Sequence, residues 1–356
     1  MNVVIISAQA YPANSPRSFR ATELAKGFSK FGHNVVLYSI QKEKPSFYED
    51  FSAKTGVVMK NLGKTRFFRN GKIGAMCYKM FNRYFLFPER EIIPMVKKAI
   101  SDLQSVDLLI TIAVPHSIHY AAAKSDLSNV KVWVADSGDP MMGNPFVHFP
   151  SYMEKFERKW CERCNYITIP IEQARDAYYP EYRKKIHIIP QGFDFSSITI
   201  AKYKKNDIPT FAFAGRFFPE LRDPTNFLKY LKQIDTDFRF YVFGPSFRMY
   251  ESFLDNRIVY RGTLNREELI PELSKCDFLI NINNTSSVQS PSKLIDYSLT
   301  GRPFLSISSA FTKEDEHLFM SYYNGDFSSF QSPINIDDYN IDNIVRKFID
   351  LTVNTL

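Results

Sequence analysis

Short apolar runs alternate with longer helical patterns along this chain, and the alternation occurs twice. Strands are predicted at 2–7, 34–40, 107–112, 131–135, 166–169 and 186–189, and after a break at 210–214, 238–243, 257–260, 277–282 and 303–307. Helices are predicted between them, at 18–31, 91–104, 115–124, 151–164, 224–233, 266–275 and 292–300. Because the strands are continuously apolar and separated by helices, the sequence predicts parallel sheets covered by helices on both faces.

Two such halves predict an α/β fold with two Rossmann-like, doubly wound domains, which suits a chain of 356 residues. The predicted boundaries are 1–193 for the first domain, 194–207 for a linker, 208–335 for the second domain and 336–356 for a last helix that packs back on the first domain. Sheets of this kind bind ligands at the carboxyl ends of their strands, and we expect a cleft between the two domains.

The composition excludes several classes of protein. An apolar fraction of 44% argues against disorder, and the net charge of +7 favours anionic partners such as nucleotide sugars, anionic lipids or nucleic acid. The cysteines of the Cys161–Cys164 pair have no second pair nearby, so two thiols on one helix are favoured over a zinc or redox site. No signal peptide or membrane span is recognisable, which predicts a cytoplasmic protein, at most peripheral on the inner face of the cytoplasmic membrane.

Residues 289–303, which read QSPSKLIDYSLTGRP, carry the strongest functional pattern. Pro291 and Ser292 suit the start of a helix, and Gly301 suits its end. Free N–H groups at the start of this helix, next to Lys293, form a site for a phosphate. Asp296 lies one turn further along the same face, where its carboxylate can accept hydrogen bonds from a ribose diol. Together these groups predict a nucleotide site.

A second candidate phosphate loop follows the predicted strand 210–214. Gly215 allows a ligand to approach the backbone, and Arg216 and Arg222 can neutralise a diphosphate because the guanidinium fork binds phosphate oxygens in pairs. A solvated pair of arginines is the alternative interpretation. No GxGxxG motif follows the first strand, which argues against a dehydrogenase that binds a dinucleotide.

These motifs resemble those of retaining GT-B glycosyltransferases of the family-four type. Residues 289–303 resemble the PSK-x-x-E-Y-x-x-x-G-x-P signature, residues 209–216 resemble the strand–Gly–Arg motif, and residues 261–264 resemble the loop that reads the nucleobase. Two positions depart from the pattern. Asp296 replaces the second of two glutamates, and Val288 replaces the first, so Gln289 or Asn284 would have to take over a contact to the donor sugar.

The first half contributes further candidates, in part through the same resemblance. Ser15, Arg17 and Arg20 lie in or after the first turn, where a donor phosphate or an acceptor would bind. His116 and His119 follow the strand 107–112, and Asp136 and Asp139 follow the strand 131–135. The alternatives are packed histidines and aspartates that cap turns and helices.

The resemblance implies a role for each candidate. The expected catalytic residues are Arg216, Arg222, Lys293, His119 and Asp139. The expected donor-binding residues are Gly215, Thr263, Leu264, Asn284, Gln289, Pro291, Ser292 and Asp296. The expected acceptor residues are Ser15, Arg17, Arg20, His116 and Asp136. No metal and no cofactor are expected, and the donor is expected to be a UDP or GDP sugar.

Residues 54–98 are strongly basic and aromatic. Only Glu89 and Glu91 oppose the cations in this segment, which are Lys54, Lys60, Lys64, Arg66, Arg69, Lys72, Lys79, Arg83, Arg90, Lys97 and Lys98. Aromatic side chains are interleaved with them, which favours contact with an anionic membrane surface. A solvated pair of helices and single-stranded nucleic acid are the alternatives, although the chain contains no known nucleic-acid module.

The sequence thus predicts a glycosyltransferase of the hexosyltransferase type. It would move a sugar from a nucleoside-diphosphate sugar to a glycan or polyprenol-linked acceptor, with retention, in bacterial capsule, lipopolysaccharide or exopolysaccharide synthesis. A GT-B-like sugar-nucleotide epimerase and a GT-B-like binding subunit that has lost catalysis remain as alternatives.

Overall fold

The computed structural model describes residues 1–13, 15–64, 71–85, 89–144, 147–196, 198–219, 222–283 and 292–353. The chain divides into two compact units. Unit 1 consists of Met1–Asp194 together with Asp338–Leu356, and unit 2 consists of Phe195–Asp337. Each unit contains one parallel sheet with helices, which confirms the prediction of two Rossmann-like α/β domains.

Unit 1 contains a sheet of seven strands and its covering helices. The strands are β1 (Asn2–Ser7), β2 (Asn34–Ser39), β3 (Val58–Asn61), β4 (Val106–Ala113), β5 (Val130–Ser137), β6 (Tyr166–Ile169) and β7 (Ile186–Ile188). The helices are α1 (Pro16–Lys30), α2 (Pro45–Thr55), α3 (Gly71–Phe85), α4 (Ile92–Ser101), α5 (Ser117–Ala123) and α6 (Glu154–Arg163).

Unit 2 contains a sheet of five strands. The strands are β8 (Thr210–Ala214), β9 (Arg239–Phe243), β10 (Ile258–Gly262), β11 (Phe278–Ile282) and β12 (Phe304–Ile307). Its helices are α7 (Thr225–Gln233), α8 (Arg266–Ser274), α9 (Ser292–Leu299) and α10 (Lys313–Tyr323), and the last helix, α11 (Ile341–Val353), belongs to unit 1. Within the described part of the chain, no helix is both long and apolar enough to span a membrane.

The strand order of both sheets reverses once. The order is β3-β2-β1-β4-β5-β6-β7 in unit 1 and β10-β9-β8-β11-β12 in unit 2, and all of the pairs are parallel. The reversal lies between β1 and β4 in unit 1 and between β8 and β11 in unit 2. In doubly wound sheets the ligand binds at the carboxyl ends of the two strands that flank this reversal. The topology therefore predicts a ligand site at the carboxyl ends of β1 and β4 in unit 1 and of β8 and β11 in unit 2.

The last helix completes one face of the sheet of unit 1. Ile344, Val345 and Phe348 of α11 are fully buried in the same apolar cluster as Leu24 and Phe28 of α1. Gly27 makes this contact possible, because a Cβ atom there would lie 2.7 Å from a methyl group of the valine in α11. A larger residue at this position of α1 would push the two helices apart.

The core of unit 2 is built largely from phenylalanine. Phe211 on the central strand β8 stacks on Phe238, Phe240 and Phe278, with ring centroids 5.6, 5.0 and 4.9 Å apart. Offset stacks of this kind add to the apolar burial and fix the relative positions of the strands. The central strand is thereby held firmly at the position where the reversal of strand order places a ligand.

Apart from α3, the sequence patterns missed one strand and two helices. Strand β3 lies at the edge of its sheet and three of its four residues are exposed, so it lacks the apolar run that identified the other strands. Helix α2 buries only Tyr48 and Phe51. Helix α10 begins at a capping box formed by Thr312 and Asp315, a signal that the sequence does contain.

Candidate functional site

Glycines line the carboxyl edge of the sheet in unit 2. Gly215, directly after β8, has a φ of +139° and donates its N–H to the carbonyl of Phe243 at 2.8 Å. Gly244 follows β9, and a Cβ atom there would lie 2.1 Å from the carbonyl oxygen of Gly215. Its own N–H donates to the carbonyl of Gly262 at 2.8 Å. Three neighbouring strands thus end in glycine backbone, so no side chain of these three residues covers the edge.

The loop after β8 brings Arg222 back to this edge. Phe218 and Arg222 exchange backbone hydrogen bonds of 3.1 and 2.6 Å, which turns the loop into a narrow hairpin. The guanidinium of Arg222 donates to the carbonyl of Arg216 at 3.2 Å and lies close to Gly215. Arg216 itself is exposed, with its guanidinium 5.8 Å from the ring centroid of Phe218. Both predicted arginines therefore belong to the loop at the reversal of strand order.

Lys293 extends from the first turn of α9 to the end of β11. Its Nζ lies 3.5 Å from the carbonyl oxygen of Ile282 and 4.9 Å from the ring centroid of Phe213. Burial, and then the charge of Arg222, lower the pKa of Lys293 to about 7. Burial and the neighbouring cation disfavour the protonated form of Lys293. An anion that binds between the two cations stabilises that form. This geometry suits a phosphate group.

Asp296, the predicted ribose carboxylate, is paired within the protein. Arg266, the first residue of α8, forms an ion pair with it, and about three quarters of each side chain is buried. Burial raises the pKa of Asp296, while the charge of Arg266 and its hydrogen bond oppose that rise. The ion pair connects helix α8 to helix α9 and orients the carboxylate. A ribose that binds there would share the carboxylate with Arg266.

Tyr297, which directly follows Asp296 in the sequence, connects α9 to the sheet. Its ring is fully buried, and its hydroxyl accepts a hydrogen bond of 2.8 Å from the N–H of Ala214 and donates one of 3.0 Å to the carbonyl of Ile280. One side chain of α9 thus connects the ends of β8 and β11. The position of Lys293 and Asp296 relative to the glycine-lined edge depends on this connection.

The predicted nucleobase loop follows β10. Gly262 has a φ of +75°, a conformation that favours glycine, and Thr263 beyond it is exposed. Leu264 packs on the apolar cluster beneath α8 and α9, and Asn265 caps α8 with Glu268. Thr263 is therefore accessible, whereas the side chain of Leu264 contributes to packing.

Several predicted donor residues lie outside the described residues. They are Asn284, Gln289 and Pro291. Val288 also lies outside the described residues. Ser292 is the first residue of α9, and only its backbone is described. The roles assigned to these residues remain predictions.

In unit 1, Arg20 and Asp136 form a buried ion pair. The guanidinium donates to both carboxylate oxygens, at 3.0 and 2.7 Å, and to the carbonyls of Ile189 and Pro190, while Thr168 donates to the same carboxylate at 2.6 Å. Both charged residues are 5% exposed. The expectation that they contact an acceptor is not supported, because the pair is engaged within the protein and connects α1, β5 and the segment after β7.

Arg17 and Asp139 form a second pair that is accessible. Their side chains are 22% and 55% exposed, and the guanidinium packs on Gly138, where a Cβ atom would lie 1.8 Å from it. Ser15 caps α1 by accepting a hydrogen bond of 3.1 Å from the N–H of Ser18 and donates one of 2.5 Å to Gln9. The structure thus brings Arg17 and Asp139 together at the carboxyl edge of unit 1, with Ser15 as a helix cap.

The two histidines of this edge are buried. His119 has no exposed surface, contacts the hydroxyl of Thr111 through Nδ1 at 2.8 Å, and packs on Trp160 with ring centroids 4.8 Å apart. Burial, and then the charges of His116 and Arg17, hold its pKa well below the usual range. A catalytic contact through His119 is not supported, since its ring lies in the core, as the alternative interpretation expected.

His116 is 7% exposed, and burial together with the charge of Arg17 lowers its pKa to about 3. Within the part of the chain that the structure describes, its Nδ1 has no hydrogen-bond partner. The ring is neutral at physiological pH, so His116 can accept or donate one hydrogen bond but carries no charge to an anionic ligand.

The cysteine pair lies at the end of helix α6. Cys161 lies in α6 and Cys164 caps its end, both are buried, and burial raises the pKa of both thiols. Among the described residues, no group of three or more His, Cys, Asp or Glu side chains could hold a metal ion.

No protein-family model matches the chain, and no curated protein is significantly similar to it in sequence. Solved structures are similar in fold. The lipopolysaccharide outer core galactosyltransferase WaaB superposes with a TM-score of 0.65 at 10% identity, and the match covers 100% of both chains. The protein has the GT-B fold.

Two further structures extend this comparison. Anabaena Alr3699/HepE in complex with UDP and glucose matches with a TM-score of 0.59 at 11% identity over 100% of both chains. A putative UDP-N-acetylglucosamine 2-epimerase from Listeria monocytogenes matches with a TM-score of 0.52 at 10% identity, over 98% of this chain and 95% of the other. At these identities the GT-B fold is shared, and the reaction has to be argued from the site.

Proposed function

We propose that the protein is a glycosyltransferase that takes a sugar from a nucleoside-diphosphate sugar bound to unit 2. The observation that carries this proposal is the joint position of Arg222, Lys293 and the glycine-lined edge at the reversal of strand order. Two cations beside open backbone suit a diphosphate, and the carboxylate of Asp296 follows one turn later on the same helix, as a ribose requires.

The leaving diphosphate is the group that these residues stabilise. As the bond between the sugar carbon and the phosphate oxygen breaks, negative charge grows on that oxygen, and Lys293, Arg222 and Arg216 offset it without a metal ion. The pKa of about 7 is part of this mechanism, because binding of the diphosphate draws a proton onto Lys293 before the bond breaks. With retention, the acceptor oxygen forms its bond to the sugar carbon on the same face, and its proton passes to the leaving phosphate.

The acceptor is proposed to be a glycan or a lipid-linked saccharide of a bacterial cell surface. WaaB, which matches over the whole chain, is named as a lipopolysaccharide galactosyltransferase, and the HepE structure contains UDP and glucose. These names support a UDP sugar as the first donor to test and a polysaccharide pathway as the context. Arg17 and Asp139 are the accessible charged groups in unit 1 that could orient an acceptor hydroxyl.

The first test is a thermal-shift panel with UDP, GDP, CDP, ADP and dTDP and their common sugars. A ligand that binds only the folded protein raises Tm by mass action. We expect a shift that is selective for one base, is lost in Lys293→Met and in Asp296→Ala, and is kept in the control Lys275→Met, an exposed lysine of the same unit. A wild-type protein that responds to none of these nucleotides would refute the proposal.

The second test separates a transferase from an epimerase, a function that the Listeria structure keeps open. The protein is incubated with the nucleotide sugar that shifts Tm, with methanol as a minimal acceptor, and the products are analysed by NMR. A transferase releases the nucleoside diphosphate and forms a methyl glycoside, which cannot mutarotate and therefore reports retention or inversion. Conversion of the sugar without release of the nucleoside diphosphate would indicate an epimerase instead.

A further inference from the structure

Helix α3 presents apolar side chains to solvent along one side. The exposed fractions are 67% for Met76, 50% for Met80, 38% for Phe81, 42% for Tyr84 and 56% for Phe85. These positions are spaced by four, one, three and one residues, so they cover one half of the helix circumference. An exposed stripe of five large apolar residues on one helix marks an interaction surface, whereas single exposed residues do not.

The stripe continues beyond the helix. A cavity of about 590 Å³ opens beside it and is lined by Phe81, Phe85, Arg90 and Glu91. Tyr152, which is 49% exposed, donates a hydrogen bond to the carbonyl of Tyr84 and adds another aromatic ring to this side. The exposed residues of α3, this cavity and Tyr152 are together called the α3 face below.

Cations predominate around the α3 face, although Glu91 also lines the cavity. The sequence of α3 contains Lys72, Lys79 and Arg83 and neither Asp nor Glu, and Arg90 lies at the rim of the cavity. A helix with cations beside an apolar stripe is suited to the headgroup layer of an anionic bilayer, where the apolar side chains enter the acyl boundary. A second copy of the chain would bring the same cations against each other, which disfavours a dimer through this face.

We propose that the α3 face docks on an anionic phospholipid bilayer. Helix α3 lies parallel to the surface, with Met76, Met80 and Phe85 inserted and with Arg83 and Arg90 at the level of the phosphates. This inference does not depend on the reaction that unit 2 supports. It assigns the basic, aromatic segment 54–98 to a definite partner and identifies the residues of that segment that make the contact.

The test is co-sedimentation of the full chain with vesicles of phosphatidylcholine, alone or mixed with phosphatidylglycerol. We expect binding to the mixed vesicles and little to the neutral ones, and added salt should weaken it. Each cation near an anionic surface strengthens binding about fivefold, so Arg83→Gln combined with Arg90→Gln should weaken it roughly 30-fold.

The apolar contribution is tested separately. Met80→Ser combined with Phe85→Ser should abolish binding, whereas the control Met249→Ser, at a residue of unit 2 that is 72% exposed, should leave it unchanged. Phe85→Trp supplies a reporter, because its emission should shift to the blue on mixed vesicles, while the native Trp133 and Trp160 are already buried. Values of Tm close to that of the wild type show that these variants are folded.

Three outcomes would overturn the proposal. The first is a wild-type protein that stays in solution with the mixed vesicles. The second is a control variant at Met249 that loses binding as strongly as the variant of the α3 face. The third is a concentration-dependent dimer that disappears with Met80→Ser and Phe85→Ser, since it would assign the face to a second copy of the chain.

Discussion

The weakly held proton of Lys293 gives the donor site a pH dependence that can be calculated. With a pKa of about 7 in the free protein, the lysine is about half protonated at pH 7. A diphosphate between Lys293 and Arg222 raises that pKa well above the working range, because the charged form gains a partner. The complex then holds more protons than the free protein, so binding takes up a proton and weakens as the pH rises above 7.

The magnitude follows from the protonated fraction. Relative to full protonation, affinity should fall about twofold at pH 7 and about elevenfold at pH 8. Between pH 6 and pH 8.5 the loss should reach about 30-fold, or about 2 kcal/mol of binding free energy. A nucleotide sugar is the right ligand, because both of its phosphates are singly charged throughout this range and do not titrate themselves.

Isothermal titration calorimetry in two buffers of different ionisation enthalpy measures both quantities. Proton uptake on binding should be about 0.1 at pH 6, about 0.5 at pH 7 and about 0.9 at pH 8. Lys293→Arg is the matched control, since it stays charged and should bind with no pH dependence in this range. Lys293→Met should bind weakly and also without pH dependence. Wild-type protein that takes up no proton at pH 8, or Lys293→Met with the wild-type profile, would refute this reasoning.

Three further predictions concern residues that hold the strands and helices around the two candidate sites in place. Tyr297→Phe should lower the free energy of unfolding by about 1–3 kcal/mol in urea titrations, because the N–H of Ala214 loses its partner in the core. Gly244→Ala should abolish nucleotide-dependent shifts of Tm, since its Cβ atom would lie 2.1 Å from a carbonyl oxygen at the end of β8. Arg20→Met should cost about 3–5 kcal/mol because it leaves a buried carboxylate unpaired, whereas Arg17→Met should cost at most about 1 kcal/mol.

Each of these predictions has a result that contradicts it. A Tyr297→Phe variant with unchanged stability would show that the hydroxyl does not tie α9 to the sheet. If Gly244→Ala binds the nucleotide with wild-type affinity, the ends of β8 and β9 can move apart without loss of the binding site. Equal effects of the two arginine substitutions on stability would remove the distinction between a buried structural pair and an accessible one.

The fold could be predicted because its strands are buried on both faces and are therefore continuously apolar. The shared helix of Lys293 and Asp296 in the candidate donor site could be predicted, because the relation of these two residues is local in the sequence. Arg266 and Gly244 were missed because their roles depend on contacts between elements that are distant in sequence. No spacing rule connects residue 266 to residue 296.

His119 shows the opposite case. Its position after a strand suggested catalysis, but α5 is buried along nearly its whole length, so the ring of His119 lies in packing. Arg20 and Asp136 were assigned to a ligand for the same reason. Whether a polar residue at a strand end points to solvent or to another element depends on the tertiary packing, and only the structure describes that packing.

The return of α11 to unit 1 has a consequence for synthesis on the ribosome. Unit 2 is contained in one continuous stretch, Phe195–Asp337, and can fold as soon as that stretch has emerged. Unit 1 begins first but lacks Ile344, Val345 and Phe348 until the final helix appears, so one face of its sheet stays only partly covered while all of unit 2 is made. The N-terminal half therefore finishes last, and during translation its open apolar face is the part of the nascent chain most in need of a chaperone.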